Sequence, residues 1–371
     1  MKRQLLSFAA ALFAVGAMAQ SFPSHDKYVD DGRPDDIVAA LNAWEPGKPW
    51  NGNGAYVDEN FWISRVPLKD RFRPGDQAND NLDDSNNKKF CWMAPTGEMS
   101  KKWGALPRYN FDADNFNMWQ YVDIHSNWTN GFWRVPGAFN DVAHKNGVKT
   151  GCTYFIDWGT GINQQSEPGK TLYELATPGT NSYGDKYKYS RKLIQFLKYY
   201  GIDGLCFNPE GYWGLVVYSR FIPFLAECHK IAEELNHPFH VDWYAYVSDQ
   251  GGLSDNGCRL DDKNDTWFHN TSTDQPVTDV YFLNYNWSED DLSVSAATAK
   301  SLGRSTFDVY AGFDMQGRGY GRNGNAGWEV LMKYPVSLVI WGAHDRNQLY
   351  ISSTEGGQSD YAVQNEYQKK Q

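Results

Sequence analysis

Eight short apolar runs, rich in β-branched and aromatic residues, recur along the chain and constrain its fold more than any other feature. They lie near residues 88–93, 118–125, 148–156, 202–208, 239–247, 279–286, 307–314 and 335–342. Helical patterns separate several of them, and Gly201 follows one such pattern as a C-terminal cap while Ser288 precedes another as an N-terminal cap. Eight strands that alternate with helices predict an α/β fold, a (β/α)8 TIM-type barrel.

The chain before and after these runs has a different composition. Residues 20–87 are rich in Pro, Gly, Asn and Asp and have no sustained periodicity, which predicts an irregular N-terminal segment packed on the barrel. The barrel itself is expected over residues 88–350. Residues 351–371 are expected to form a tail or a truncated last helix.

The first residues have the pattern of a cleavable signal peptide. Lys2 and Arg3 precede an apolar stretch, and Ala17-Met18-Ala19 matches the small-x-small pattern of a cleavage site. The sequence therefore predicts a signal peptide over residues 1–19 and a secreted or periplasmic mature chain. Elsewhere no run approaches the roughly 18 apolar residues of a membrane span, so none is expected.

Charge and aromatic content indicate which partners suit the chain. Its net charge of -10 argues against nucleic acid, because binding nucleic acid requires patches of Lys and Arg. Aromatic residues make up 16% of the chain, although the mean hydropathy is only -0.63. Flat aromatic faces suit the C–H surfaces of sugars, so this composition favours a carbohydrate partner.

The five cysteines are odd in number and widely spaced. They form no CxxC or Cys/His pattern of the kind that metal sites use, and three of them lie in apolar strand-like runs. The sequence therefore predicts buried free thiols, with no metal site and no cofactor.

Asn208 and Glu210 lie at the end of the fourth apolar run, in the segment GIDGLCFNPEG of residues 201–211. Their side chains point the same way if the chain is extended, and chemistry in such barrels occurs at the carboxyl ends of the strands. Cleavage of a glycosidic bond requires a carboxylic acid to protonate the leaving oxygen, and we assign this role to Glu210. Asp203 begins the strand instead of ending it, and we leave it out of the catalytic set.

Asn208 cannot act as a nucleophile, because its side chain is an amide. It can instead hydrogen-bond the 2-acetamido group of an N-acetylglucosamine and hold the oxygen of that group against the anomeric carbon. The substrate would then supply its own nucleophile through an oxazoline-type intermediate.

The segment from residue 201 to residue 210 resembles the strand-four motif of glycoside hydrolase family 85, the endo-β-N-acetylglucosaminidases, whose pattern is FDG followed by NxE. Further pieces match the family in order along the chain. They are residues 118–123 (MWQYVD), 143–147 (AHKNG), 242–244 (DWY), 282–287 (FLNYNW) and 308–319 (DVYAGFDMQGRG).

The resemblance implies retaining hydrolysis of the GlcNAc-β-1,4-GlcNAc bond in the chitobiose core of N-linked glycans. It implies that Glu210 is the general acid/base, that Asn208 orients the acetamido group and that Tyr244 hydrogen-bonds near the same sugar. Trp287 is expected to stack on the glycan. Further substrate contacts are expected at the ends of strands six and seven, from Asn284, Asp314, Gln316 and Arg318. N-linked glycans or glycoproteins are the implied partners.

Three positions depart from the family pattern. Pro209 replaces an aliphatic residue, Ala245 replaces the Asp of a Trp-Tyr-Asp run, and a Trp expected near Asp255 is missing. The acid and its amide partner both remain, so these departures bear on glycan preference more than on the reaction.

Alternative functions stay open at this point. An enzyme of the chitinase-like family 18 would have the pattern DGxDxDxE, but Cys206 and Asn208 occupy its two middle Asp positions. A non-catalytic glycan-binding barrel is the other main alternative, against which the intact Glu210 counts. A barrel hydrolase of another polysaccharide is a third possibility, which the lack of a second carboxylate near Glu210 in the sequence disfavours.

Overall fold

The computed structural model describes residues 36–47, 60, 62–71, 88–94, 116, 118–128, 135–156, 167–210, 215–249, 257–318, 322–323 and 326–342. The proposed signal peptide and the tail lie outside these ranges. Within them, parallel strands close into an eight-stranded barrel whose spatial order follows the chain. The strands are β1 (Phe90–Ala94), β2 (Ile124–Asn127), β3 (Lys149–Ile156), β4 (Gly204–Pro209), β5 (His240–Tyr244), β6 (Val280–Leu283), β7 (Val309–Asp314) and β8 (Ser337–Trp341). The prediction of a (β/α)8 barrel is confirmed.

Helices lie between the barrel strands and before them. They are α1 (Ile37–Ala43), α2 (Gly137–Lys145), α3 (Glu167–Leu175), α4 (Ser190–Tyr200), α5 (Leu215–Glu234), α6 (Glu289–Ser301), α7 (Met315–Arg318) and α8 (Trp328–Leu331). Both predicted caps are present: Gly201 ends α4 with a φ of 72°, and Ser288 begins α6 in a reciprocal capping box with Asp291. None of the helices in the described ranges is long and apolar enough to cross a membrane.

The second strand is shifted from its predicted place. We expected it at residues 118–125, but β2 begins at Ile124. Residues 118–121 instead form a turn, in which the backbone N–H of Tyr121 donates to the carbonyl of Met118 at 3.0 Å. The ring of Trp119 packs on Phe116 and Phe139 outside the barrel, so the apolar pattern reflects this packing and not a strand.

The described parts of the N-terminal segment, residues 36–47, 60 and 62–71, lie against the outside of the barrel, and one of them contains a helix. Asp36 caps α1, and four residues of this helix are buried at the spacing of one helical face. Trp44 packs edge-on against Phe196 of α4 at 5.2 Å between ring centroids. Further along, the backbone N–H of Ser64 donates to the carbonyl of Tyr200 at 3.1 Å.

Alternate residues of each strand point into the barrel, where they form a core separate from the larger one between strands and helices. The inward apolar residues are Cys91, Met93, Ile124, Cys206, Tyr244, Val280, Phe282, Tyr310 and Val339. All five cysteines are free and buried, as predicted, and burial raises the pKa of the Cys206 thiol well above its usual value.

The barrel has a polar floor below its open end. Asp242 of β5 is completely buried, accepts a hydrogen bond from the hydroxyl of Ser126, and lies 2.8 Å from Nδ1 of His240. The His240 ring occupies space that only glycine leaves free, because a Cβ on Gly204 would lie 2.3 Å from its atoms. These groups satisfy one another, so the floor supports the residues above it.

Candidate active site

Asn208 and Glu210 lie where β4 reaches the open mouth of the barrel. Cys206 belongs to the interior core, and the alternation of side chains along the strand directs Asn208 to the same side. After Asn208 the chain turns, with the backbone N–H of Glu210 donating to the carbonyl of Asn208 at 3.2 Å. Oδ1 of Asn208 is buried and has no hydrogen-bond partner among the described residues, so it can accept a hydrogen bond from a ligand.

Tyr244 ends the neighbouring strand and also points into the barrel. The register pairs Phe207 with Trp243, so the next position on each strand brings Asn208 beside Tyr244. Trp243 faces the helices and stacks on Trp267 at 3.9 Å between ring centroids, which leaves the inward direction to Tyr244. Burial raises the pKa of Tyr244 well above its usual value and the charge of Glu210 raises it further, so its hydroxyl stays protonated.

Two further tyrosines surround the same mouth, and sequence reasoning missed both. The ring of Tyr246 stacks on that of Tyr244 at 5.9 Å and 10° between planes, and the ring of Tyr285 lies 6.1 Å from Tyr244. Burial raises the pKa of both tyrosines, and the charge of Glu210 contributes to each shift. Tyr246 could have been found from the sequence, because it lies two residues after Tyr244 and a spacing of two places side chains on the same face of a strand.

The end of β7 brings two predicted substrate contacts to this mouth. Nε of Arg318 lies 3.9 Å from a carboxylate oxygen of Asp314. Nη1 of Arg318 donates a hydrogen bond to the carbonyl of Tyr285 at 2.9 Å. The charge of Asp314, like that of Glu210, raises the pKa of Tyr244 and Tyr285. The structure therefore brings two carboxyl groups to one set of aromatic rings.

Asn284 and Gln316 are less informative. Asn284 is buried, and its Oδ1 accepts a hydrogen bond from the backbone N–H of Tyr285 at 2.6 Å, which shapes its own loop. Gln316 lies in α7, and its side chain is outside what the structure describes.

The prediction that Trp287 stacks on a glycan is wrong. Its side chain is completely buried, its Nε1 donates to the carbonyl of Gly312 at 2.9 Å, and its ring packs edge-on against Phe313. A ring without an exposed face cannot contact a sugar. Trp287 instead joins the segment after β6 to β7.

A second aromatic wall, formed by Trp128, Phe155 and Trp341, was also missed. The Trp128 ring centroid lies 5.1 Å from that of Phe155 and 4.6 Å from that of Trp341. Nε1 of Trp128 is buried without a hydrogen-bond partner among the described residues. Trp128 follows β2, Phe155 lies near the end of β3, and Trp341 is the last residue of β8. The three rings therefore come together only because the barrel closes.

Asp203 has the structural role that its position at the start of β4 indicates. It is buried, accepts a hydrogen bond from the backbone N–H of Thr150 at 2.7 Å, and lies 2.9 Å from Nε2 of His144. Burial lowers the pKa of His144, but the hydrogen bond and charge of Asp203 outweigh it and raise that pKa. Asp203 therefore joins β3, β4 and α2 below the mouth.

A closed parallel barrel that gathers carboxyl groups, an amide oxygen and aromatic rings at the carboxyl ends of its strands has the architecture of a glycoside hydrolase. The chain belongs to glycosyl hydrolase family 85, whose family model matches residues 98–361.

Relatives of known name are similar over most of this chain. The cytosolic endo-beta-N-acetylglucosaminidase of Danio rerio is 28% identical over 319 residues, which cover 85% of this chain and 40% of the relative. That of Gallus gallus is 24% identical over 333 residues, with 88% and 41% covered. This chain thus spans about two fifths of the length of these relatives.

A solved structure has the same fold. The glycoside hydrolase domain of Endo-D from Streptococcus pneumoniae R6 superposes with a TM-score of 0.65 at 22% identity, covering 90% of this chain and 52% of that one.

The names of the relatives contradict the prediction that this chain is exported. The matched enzymes of Danio rerio, Gallus gallus, Arabidopsis thaliana and Homo sapiens are all named cytosolic. The expectation of a signal peptide depended on the composition of residues 1–19 alone. Basic residues followed by a short apolar stretch do not by themselves establish export.

Proposed function

We propose that this chain is an endo-β-N-acetylglucosaminidase that hydrolyses the GlcNAc-β-1,4-GlcNAc bond in the chitobiose core of N-linked glycans. Membership of family 85 and the names of the relatives support this activity. The observation that carries the proposal is the pair of residues at the end of β4. There Asn208 points inward with an Oδ1 that has no partner in the described part of the chain, two residues before Glu210.

Glu210 and Asn208 would act on opposite sides of the bond that breaks. Glu210 gives its proton to the leaving oxygen, while Oδ1 of Asn208 accepts the N–H of the 2-acetamido group and holds that group in place. The acetamido oxygen attacks the anomeric carbon as the glycosidic C–O bond breaks, and an oxazolinium ring forms. Water then opens the ring, losing its proton to the Glu210 carboxylate, and the configuration is retained.

Tyr244 and the residues of β7 would hold the sugar for this reaction. Tyr244 keeps its proton because burial and the charge of Glu210 raise its pKa, so it can donate a hydrogen bond at neutral pH. Asp314, Arg318, Gln316 and Asn284 remain proposed substrate contacts. The rings of Phe155, Tyr285 and Trp341 are only partly buried, and such rings suit the C–H faces of sugars.

Asp314 supports a second mechanism for the same reaction. The charges of Asp314 and Glu210 both raise the pKa of Tyr244 and of Tyr285. Asp314 is therefore close enough to the same site to be considered as a nucleophile that attacks the anomeric carbon. That mechanism requires carboxyl groups about 5 Å apart. We favour the substrate-assisted mechanism, because Asn208 precedes Glu210 on β4 and its buried Oδ1 has no hydrogen-bond partner among the described residues.

Mass spectrometry of a high-mannose glycoprotein after incubation with the purified chain tests the proposal. We expect loss of the glycan with one N-acetylglucosamine left on asparagine. Glu210→Gln should reduce the rate by roughly 10²- to 10⁴-fold, because it removes the proton donor. Glu233→Gln, which changes an exposed carboxyl group on α5, is the matched control and should cleave like the unaltered chain.

Two outcomes would contradict the proposal. If Glu210→Gln cleaves at the normal rate, the proton donor is another group. If the unaltered chain leaves all glycans intact yet retains them in a pull-down, the barrel binds glycans without cleaving them.

A further inference from the structure

Two chain segments leave the barrel mouth next to each other and turn in the same way. The N–H of Glu210 donates to the carbonyl of Asn208 at 3.2 Å, and the N–H of Tyr246 donates to the carbonyl of Tyr244 at 2.7 Å. The register pairs Cys206 of β4 with Asp242 of β5. The last pair in this register is Phe207 with Trp243, so Asn208 and Tyr244 are the next residues on the two strands, and Glu210 and Tyr246 each follow two residues later, one turn beyond.

Tyr246 is held by the stacking of its ring and by contacts of the backbone next to it. Its ring is buried and lies nearly parallel to that of Tyr244, at 5.9 Å. The preceding residue, Ala245, donates its backbone N–H to the carbonyl of Phe282 at 2.8 Å. Gly257 lies directly against Ala245, because a Cβ on Gly257 would come within 2.2 Å of the Ala245 carbonyl oxygen. The position of the Tyr246 ring is therefore set by the fold.

The Tyr246 hydroxyl is suited to donate a hydrogen bond. Burial raises its pKa, and the negative charge of Glu210 raises it further, so the hydroxyl keeps its proton while the neighbouring carboxyl group changes state. Among the described residues, the other titratable groups that act on the tyrosines of this mouth are Tyr244, Tyr285, Cys258, Asp314 and Arg318.

We propose that Tyr246 is a positioning residue for the acid, whose hydroxyl donates a hydrogen bond to the carboxylate that Glu210 becomes after it has given up its proton. That Glu210 donates a proton to the substrate rests on the proposed function. The hydrogen bond from Tyr246 to Glu210 does not depend on it. A hydrogen bond to the charged form favours that form, so Tyr246 makes Glu210 a stronger acid and holds its carboxyl group in one orientation.

Tyr246→Phe tests the hydroxyl and keeps the stacked ring. We expect the alkaline limb of the rate profile to move up by about one pH unit, because a hydrogen bond to a charged group is of that order. The kcat should fall several-fold with little change in KM. Tyr183→Phe is the matched control, since Tyr183 is 68% exposed and its ring contacts Arg191. Equal pH limbs in Tyr246→Phe and the unaltered chain would overturn the proposal.

A titration that needs no substrate separates this inference from the proposed function. Glutamate carboxyl carbons labelled with ¹³C are titrated by NMR, and the Glu210 resonance is assigned by its loss in Glu210→Gln. In Tyr246→Phe we expect the Glu210 midpoint to rise by about one unit, with no change in Tyr183→Phe. An unchanged midpoint would overturn the role of Tyr246 even if the chain cleaves glycans. A raised midpoint would support it even if the chain cleaves none.

Discussion

Asn208 and Asp314 offer two different partners for Glu210, the proposed acid at the barrel mouth. Asn208 presents a buried amide oxygen that has no hydrogen-bond partner among the described residues, whereas Asp314 is held near Arg318. An amide can hold the acetamido group of the substrate but cannot form a covalent bond to the sugar. A carboxylate can form such a bond. The substrate-assisted mechanism therefore requires Asn208, whereas the covalent mechanism requires Asp314.

A comparison of Asn208→Gln with Asp314→Asn distinguishes the two mechanisms. Asn208→Gln should slow glycan hydrolysis by at least about 10²-fold, because the longer side chain misplaces the acetamido group. The same variant should still accept a preformed oxazoline donor, which no longer needs that step. Asp314→Asn should retain more activity, because it changes only a substrate contact. If Asp314→Asn is as inactive as Glu210→Gln and Asn208→Gln hydrolyses normally, the substrate-assisted mechanism is wrong.

At the scale of elements, β4 depends on a glycine at its first position. The His240 ring of β5 lies against Gly204, and Asp242 holds that ring through Nδ1. The close approach lets β4 and β5 keep the register that brings Asn208 beside Tyr244. Gly204, at the first position of β4, thus helps to set the positions of Asn208 and Tyr244 at the other end of the two strands.

Gly204→Ala should destabilise the barrel. The added methyl group would lie 2.3 Å from His240 ring atoms, and overpacking of this kind costs about 1–3 kcal/mol. Gly179→Ala is the matched control, because its nearest neighbour would be the Cβ of Lys188 at an ordinary 3.7 Å. Urea unfolding should give a lower midpoint for Gly204→Ala alone, and equal midpoints for both variants would contradict this packing.

At the scale of the whole molecule, buried histidines connect stability to pH. Burial lowers the pKa of His237 to about 4, and its Nε2 lies 3.0 Å from the carbonyl of Ile202, just before β4. Between this value and the ordinary 6.5 the unfolded chain binds the proton and the folded chain does not. The free energy of unfolding therefore falls as the pH drops through this window.

His237→Gln should reduce this acid sensitivity, because glutamine does not titrate and can also donate to the Ile202 carbonyl. The unaltered chain is expected to lose about 3 kcal/mol more stability than the variant between pH 6.5 and pH 4. Urea unfolding at several pH values measures the difference. Parallel pH dependence in the two proteins would mean that His237 is protonated in the folded chain.

The sequence by itself determined the barrel, whereas the shared orientation of Asn208 and Glu210 stays a prediction, since the chain turns between them. The periodicity of apolar runs predicted the eight strands, and the spacing of two predicted that Asn208 and Glu210 share a side, because both patterns follow from local backbone geometry. The same local reasoning failed for residues 118–121, which form a turn from which Met118 and Trp119 pack outside the barrel while Tyr121 is exposed.

Only the tertiary structure decided which aromatic residues face the mouth. Trp287 belongs to a matching motif yet is buried against Phe313. Tyr246 and Tyr285 lie against Tyr244, and Trp128, which follows β2, meets Trp341 of β8. Most of these contacts join residues far apart in the chain. They depend on barrel closure and strand register, which no local pattern in the sequence contains.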